Sequence, residues 1–160
     1  MAQIHPFSVN QVRCTTIRTN GKIRLFYPGI RMGFNKSFVT NATVGSITAL
    51  INPETGIVET DGYNYYGDVY EYHPWSNLKI RGFEIPEWNE LVEMLTNAAD
   101  HLPTINYVGW DVVLSDKGWC IMEGNAYGAF ASQLIVGHGQ KPEFEELIGW
   151  KPEEPFWWQE

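Results

Sequence analysis

The most constraining feature of the sequence is the segment 107–125, in which two apolar runs flank a short polar turn that contains glycine. Runs rich in Val, Ile, Trp and Tyr around such a turn predict a β-hairpin. A three-residue loop, 116–118, would place its glycine where left-handed backbone angles are needed. Counting outward from that loop sets Asp111 opposite Glu123. The segment therefore predicts two carboxylates that share one face of a sheet.

Two facing carboxylates repel each other unless one is protonated or a cation lies between them. Asn125 lies two residues beyond Glu123, so its amide oxygen can join Asp111 and Glu123 on that face. Carboxylate and amide oxygens without neighbouring Cys or His suit Mg²⁺ or Mn²⁺ better than Zn²⁺. The alternative is a solvated polar face on an ordinary hairpin, and a two-residue turn would move Glu123 to the other face.

Composition narrows the classes of function. The chain has 160 residues, 44% hydrophobic and 19% charged, which predicts one globular domain, 1–150, followed by an acidic and aromatic tail, 151–160. The formal net charge of -8 and the lack of a basic stripe disfavour a nucleic-acid partner. No apolar run approaches the roughly 18 residues of a membrane span, and no signal peptide is recognisable, so a cytoplasmic location is expected.

The order of the remaining patterns predicts an α+β fold. Alternating residues 11–19 run into Asn20-Gly21, the strongest short signal for a hairpin. Residues 86–102 carry one apolar face at helical spacing, and 141–150 show a shorter helical pattern. A strand is also expected at 57–60. We expect a mostly antiparallel sheet with both helices packed on one of its faces.

Arginines provide the candidate contacts to anions. Arg13 and Arg18 lie five residues apart, so in a regular strand they face opposite sides. Arg31 follows an interruption at Pro28-Gly29 that predicts a bulge or an edge of the sheet, and its face cannot be assigned from spacing. Each arginine is either a solvent-facing side chain or a bidentate phosphate ligand.

The segment 63–82 is aromatic and irregular. Its Tyr and Trp side chains either pack a long loop onto the sheet or form a platform that stacks on a sugar or a base. A binding or assembly module is therefore the alternative to an enzyme. Such a module would bind carbohydrate through this segment, or a protein partner through Trp157 and Trp158.

Asp111 and the Glu123-Gly124-Asn125 motif at the end of an acidic hairpin resemble the C-terminal part of an ATP-grasp catalytic domain. More narrowly, the chain resembles the sugar-transfer-associated ATP-grasp family, whose relatives include α-L-glutamate ligases. The resemblance extends from about residue 8 to about residue 137 and also rests on four stretches: SVNQVRCTTIRT, Arg31-Met32-Gly33, INPETG and IPEWNELVEML.

The resemblance implies that ATP and Mg²⁺ (or Mn²⁺) are the cofactors. It assigns Asp111, Glu123 and Asn125 to the metal that bridges the ATP phosphates, and Met122 to the adenine pocket. Asn41 stands where the family has a loop asparagine, which makes it a further candidate for cofactor binding. The preceding family aspartate is Thr40 here, so a phosphate or substrate contact at that loop is a weaker expectation.

The implied activity is ATP-dependent ligation of a small-molecule carboxylate to an amine or similar nucleophile, with a link to polysaccharide biosynthesis. Arg13 and Arg31 match arginines that contact phosphate or an acyl phosphate. The family's first subdomain, which supplies lysines, has no counterpart in these residues. We therefore expect little ligase activity from the chain alone, and either self-association or pairing with a missing N-terminal half.

Overall fold

A computed structural model of the protein describes residues 1, 3–34, 46–126 and 132–149. Within these ranges seven strands form one sheet in which every pairing is antiparallel. The strands are β1 (Gln11–Thr19), β2 (Lys22–Met32), β3 (Ile47–Leu50), β4 (Gly62–Tyr63), β5 (Val69–Tyr70), β6 (Tyr107–Ser115) and β7 (Gly118–Asn125). Their order across the sheet is β5-β4-β3-β2-β1-β6-β7. The predicted α+β class with an antiparallel sheet is confirmed.

Three helices lie in the described ranges: α1 (Trp88–Asp100), α2 (Ser132–Val136) and α3 (Lys141–Ile148). The helix predicted at 86–102 is therefore present with tighter ends. Its first turn follows Glu87, whose left-handed φ of 54° turns the chain into the helix. None of the helices in the described part of the chain is long and apolar enough to cross a membrane.

The β1–β2 hairpin follows the sequence prediction at both ends. Asn20 and Gly21 have φ values of 49° and 72°, which are the backbone angles of a type I′ turn. Further along, Tyr27 and Pro28 together lie opposite the single residue Cys14, so β2 has one extra residue and bulges where the interruption was expected. Tyr27 takes a φ of 44° to make that bulge. The irregularity changes which β2 residues face each side of the sheet.

One face of the sheet forms the hydrophobic core. Val12 and Val112 point from β1 and β6 toward α1, where Leu91 and Leu95 complete the packing. These four side chains are all fully buried. Burial of each such side chain contributes on the order of 1.5–3 kcal/mol before entropy is subtracted. The central strands and α1 therefore form the packed core that supports the side chains on the opposite face.

The opposite face is covered at one end by α3. Phe144 of α3 contacts the rings of Phe26 and Tyr107 at centroid distances of 6.0 and 6.1 Å. Tyr107 pairs with Ile17, on the side of β1 away from α1. The two helices thus lie on different faces, rather than on one as expected. The physical reason is that β1 and its two neighbouring strands carry apolar side chains on both faces at this end of the sheet. Each apolar face is stable only when another element packs on it.

The region between β3 and α1 differs from the sequence prediction. Residues 57–60 do not form a strand of the sheet. Within the described ranges they make only isolated bridges, of Ile57 with Glu84 and of Val58 with Ile51. The aromatic segment contributes the short strands β4 and β5, and Tyr66 in the turn between them is 81% exposed. The tail at 151–160 lies outside the described residues.

Candidate functional site

The β6–β7 hairpin closes with a turn shorter than predicted. Ser115 pairs with Gly118, so the loop has two residues and not three. Gly118 does adopt a positive φ, 99°, as expected of the glycine. In a regular ladder this shorter turn would place Glu123 on the core face, away from Asp111. The predicted register of the turn is therefore wrong.

A β-bulge restores the predicted pairing. Val112 pairs with Ile121 and Asp111 pairs with Glu123, which leaves Met122 as one extra residue on β7. The bulge shifts the alternation by one position, so Glu123 faces the same side as Asp111. The two carboxylates are opposed as the sequence predicted, although by a different backbone route.

Arg13 lies directly across the sheet from Asp111 on the neighbouring strand. Its Nη1 donates a hydrogen bond to Asp111 Oδ2 at 2.6 Å. Arg31 also reaches this carboxylate, with Nη1 at 3.7 Å from Asp111 Oδ1. We call Arg13, Arg31 and Asp111 the arginine cluster. Arg18 faces the other side, as predicted, and pairs with Asp100 at the end of α1.

Gly109 makes room for the cluster. A Cβ at this position would lie 2.6 Å from Arg13 Nη2, so any side chain here would displace the guanidinium group. Gly109 pairs with Thr15 on one side and with Asn125 on the other, inside a regular strand. A glycine within a strand often marks a close approach of another group, and this was the available sequence signal for its role.

Asn125 connects the cluster to Glu123. With the amide oriented to satisfy both neighbours, its nitrogen donates to Glu123 Oε1 at 2.7 Å and its oxygen accepts from Arg13 Nη1 at 3.0 Å. The resulting chain of contacts runs across four adjacent strands, from Arg31 to Glu123. It contains two positive and two negative side chains, so the set is neutral in formal charge.

The cluster is largely shielded from water. The side chains of Arg13, Arg31 and Asp111 are 17%, 18% and 13% exposed. Burial lowers the pKa of Arg31, while the nearby negative charge of Asp111 acts in the opposite direction. Asp111 Oδ1 is buried and has no hydrogen-bond partner. A buried carboxylate oxygen without a donor has unused capacity for a cation or a further donor.

The donor atoms at this site fit Mg²⁺ or Mn²⁺. Across the described ranges no group of three or more His, Cys, Asp or Glu side chains could hold a metal ion. The candidate set therefore consists of the two carboxylates and the Asn125 amide oxygen, all hard ligands. In the present arrangement Arg13 competes for Asp111 and for that amide oxygen. A cation bound by Asp111 and Asn125 would therefore replace contacts that Arg13 makes here.

The structure brings five of the seven candidate residues together: Arg13, Arg31, Asp111, Glu123 and Asn125. Met122 stands at the bulge beside them and is 60% exposed. Asn41 lies outside the described residues.

One of three comparisons with known proteins found a match. The model of one protein family, sugar-transfer associated ATP-grasp, matches residues 1–147 and so includes every candidate site residue. No curated protein and no solved structure matches the chain. The family match covers most of the 160 residues. The chain therefore belongs to the sugar-transfer-associated ATP-grasp family.

Proposed function

We propose that this chain forms the metal- and phosphate-binding wall of an ATP-dependent carboxylate ligase. The observation that carries the proposal is the convergence of the arginine cluster with Glu123 and Asn125 on one face of four adjacent strands. Oxygen ligands beside guanidinium groups suit a cation-bound polyphosphate. The link to polysaccharide biosynthesis rests on the family description alone.

Asp111, Glu123 and Asn125 would hold Mg²⁺ or Mn²⁺, which supplies charge neutralisation of the ATP phosphates. Glu123 is exposed and needs no rearrangement to reach a ligand. Asp111 Oδ1 already lacks a donor. The Asn125 oxygen becomes available when Arg13 turns from it to a phosphate oxygen.

The arginines would bind the transferred phosphoryl group. In this type of ligation the substrate carboxylate is activated as an acyl phosphate, from which an amine displaces phosphate. Arg13 and Arg31 are held in place by Asp111, so their guanidinium groups are oriented before the anion arrives. Preorganised donors of this kind stabilise developing negative charge without reorganisation.

Titration calorimetry with ATP, with and without Mg²⁺, tests the assignment. Wild type is expected to bind ATP more tightly with Mg²⁺ present. Glu123→Gln is expected to lose that metal dependence, with an affinity loss of about tenfold or more, since one charge-bearing metal ligand is removed. Glu93→Gln, an exposed position on α1, is the matched control and should behave as wild type.

Equal binding of Mg²⁺-ATP by wild type and Glu123→Gln, without metal dependence in either, would contradict the metal site. A parallel measurement with Mn²⁺ follows the relaxation rate of bulk water in the presence of ATP. An unchanged relaxation enhancement in Glu123→Gln would lead to the same rejection.

A carbohydrate- or partner-binding module is the second candidate. The exposed rings of Tyr65, Tyr66 and Trp75, at 61%, 81% and 47% exposure, favour it. Planar exposed rings can stack on sugar faces. A glycan array with wild type tests this function, and Tyr66→Ala is expected to weaken any positive signal. A blank array would remove the carbohydrate version.

A further inference from the structure

A cleft of about 480 Å³ lies between the tip of the β1–β2 hairpin and α3. Its two walls are formed by Thr19, Asn20, Lys22 and Arg24 on the hairpin and by Glu143, Glu146 and Leu147 on α3. Small-molecule sites in proteins have volumes of roughly 300–1,000 Å³, so the cleft has the size of a ligand site.

The two walls carry opposite charge. Lys22 and Arg24 are two residues apart on β2, so they project from the same face of the sheet about 7 Å apart. Glu143 and Glu146 are three residues apart on α3, which makes them neighbours on one side of the helix. Two positive groups on the hairpin therefore face two negative groups on the helix.

The opposite charges do not pair with each other across the cleft. Among the described residues, no ion pair joins Lys22 or Arg24 to a carboxylate. Glu143 Oε2 is buried and has no hydrogen-bond partner, and Glu143 Oε1 lies 3.7 Å from His138 Nδ1, beyond hydrogen-bond distance. A shielded carboxylate oxygen without a donor costs free energy. A ligand that brings a donor to Glu143 would remove that cost.

We propose that this cleft binds a small zwitterion, whose carboxylate pairs with Lys22 and Arg24 and whose ammonium group pairs with Glu143 and Glu146. Because the two walls do not reach each other, the two charged ends of the ligand must be separated by a chain of several atoms. A long amino acid with a terminal ammonium group has this form, and so does a short peptide. The carboxylates of α3 would repel a nucleotide or another polyanion.

The cleft is separate from the arginine cluster. On β1, Arg13 lies four residues from Ile17, the partner of Arg24, which is about 13 Å along the strand. Between these positions the ring of Phe26 packs on Phe144 of α3. A small ligand held at Arg24 therefore does not reach Arg13, and the inference does not depend on the proposed function.

Four probes test the charge pattern of the ligand: 6-aminohexanoate, hexanoate, hexylammonium and glycine. Binding is followed by NMR titration of the ¹⁵N-labelled protein without nucleotide or Mg²⁺. We expect 6-aminohexanoate to bind about five- to tenfold more tightly than hexanoate or hexylammonium, because each of these lacks one of the two charge-assisted contacts. Glycine carries both charges on neighbouring carbon atoms and is expected to bind as weakly as the singly charged probes.

Triglycine distinguishes the two sources of such a ligand, because it separates the same end charges with a peptide backbone. Tighter binding of triglycine than of 6-aminohexanoate would assign the site to peptides, and weaker binding would assign it to amino acids. In both cases the shifted amide resonances are expected on the β1–β2 hairpin and on α3.

Two variants assign the two walls. Glu143→Gln should lower the ratio of 6-aminohexanoate to hexanoate affinity by about three- to fivefold without weakening hexanoate binding. Arg24→Gln should lower the ratio of 6-aminohexanoate to hexylammonium affinity by a similar factor, and Arg24→Lys should keep the wild-type ratio. The matched controls are Glu145→Gln, on α3 outside the cleft lining, and Arg81→Gln, at an exposed position. The two variants lie on different elements, so one keeps the test valid if the other fails to fold.

Three results would overturn the proposal. The first is equal binding of 6-aminohexanoate, hexanoate and hexylammonium by wild type. The second is an unchanged affinity ratio in both Glu143→Gln and Arg24→Gln, and the third is a set of shifted resonances that excludes the hairpin and α3. Because no nucleotide or metal is present, failure here leaves the Glu123 experiment unaffected. A metal-independent ATP result with normal 6-aminohexanoate binding would reject the proposed function and not this cleft.

Discussion

The two faces of β1 and β6 carry opposite chemistry at neighbouring positions. Toward α1, Val12 and Val112 pair across the strands and are both fully buried in the core. At the adjacent position of the antiparallel ladder, Arg13 and Asp111 pair on the other face as an ion pair that retains some contact with water. Both pairs belong to the same antiparallel ladder between β1 and β6.

This difference shows that the two faces of one sheet have separate roles. The core face stabilises the fold because apolar area leaves water. The other face holds charges in fixed positions, where shielding from water strengthens their interaction but makes each unpaired charge costly. Substitutions one residue apart should therefore affect either stability or ligand binding, and the following predictions test that separation from the largest expected effect to the smallest.

The largest effect is expected in the core. Leu91→Ala removes a fully buried side chain of α1 and should lower the free energy of unfolding by about 2–5 kcal/mol, because a cavity remains. Urea denaturation followed by tryptophan fluorescence measures it. Leu134→Ala, at a position 69% exposed, should stay within about 0.5 kcal/mol of wild type. Similar losses in both variants would mean that α1 does not form the core.

The second-largest loss of stability is expected when the negative charge that Asp111 offers to Arg13 and Arg31 is removed. Asp111→Asn keeps the shape of the side chain but leaves Arg13 and Arg31 unpaired in a shielded site. The expected loss of unfolding free energy is about 1–3 kcal/mol, below the full cost of a buried pair because water reaches these groups. Asp100→Asn is the control, since this residue is 58% exposed in its pair with Arg18, and it should cost less than about 1 kcal/mol. Equal losses would show that burial does not strengthen the cluster.

Two glycines distinguish the faces by what surrounds them. A Cβ at Gly62 would lie 2.3 Å from Ile47 Cγ2 in the core, so Gly62→Ala should cost about 1–3 kcal/mol by overpacking. At Gly109 the group in the way is the end of a flexible arginine. Gly109→Ala should therefore cost less than about 1 kcal/mol but displace Arg13, which is visible as a shifted Nε resonance in NMR. An unshifted resonance would contradict the role of Gly109.

The smallest effect is expected at the bulge. Trp119 and Ile121 pack toward α1, whereas Glu123 faces the cluster, so β7 changes its alternation at Met122. Deletion of Met122 should regularise the ladder and keep Glu123 opposite Asp111, within about 1 kcal/mol of wild-type stability. Cross-strand NOEs between residues 111 and 123 report the pairing. Their loss would show that the bulge itself is required.

Local patterns predicted much of the fold. The apolar spacing of α1 and the Asn20-Gly21 turn depend on neighbouring residues, and both were found. Strand alternation predicted that Arg13 and Arg18 face opposite sides of the sheet. Their partners, Asp111 and Asp100, confirm this. The placement of α3 was not predictable in this way, because it depends on which apolar face remains uncovered after α1 has packed.

The sequence indicated which residues lie together at the candidate site, but not how the backbone brings them together. The pairing of Asp111 with Glu123 was expected from a three-residue turn, but it arises from a shorter turn combined with a bulge at Met122. The turn is one residue shorter than predicted, and β7 contains one residue more than a regular ladder needs. These two differences cancel, so the same residues are paired. Spacing alone cannot distinguish the two routes, because both contain the same number of residues between the carboxylates.

By itself, the sequence determined the alternation of the strands, the helix that covers the core and the residue types that converge at the site. Only the tertiary structure decided that Arg31 reaches Asp111, since the bulge at Tyr27 and Pro28 resets the register of β2. It also decided that Gly109 leaves space for Arg13. These two contacts join residues 80 and 96 positions apart. Their distances depend on how whole strands pair and bulge, which no local pattern encodes.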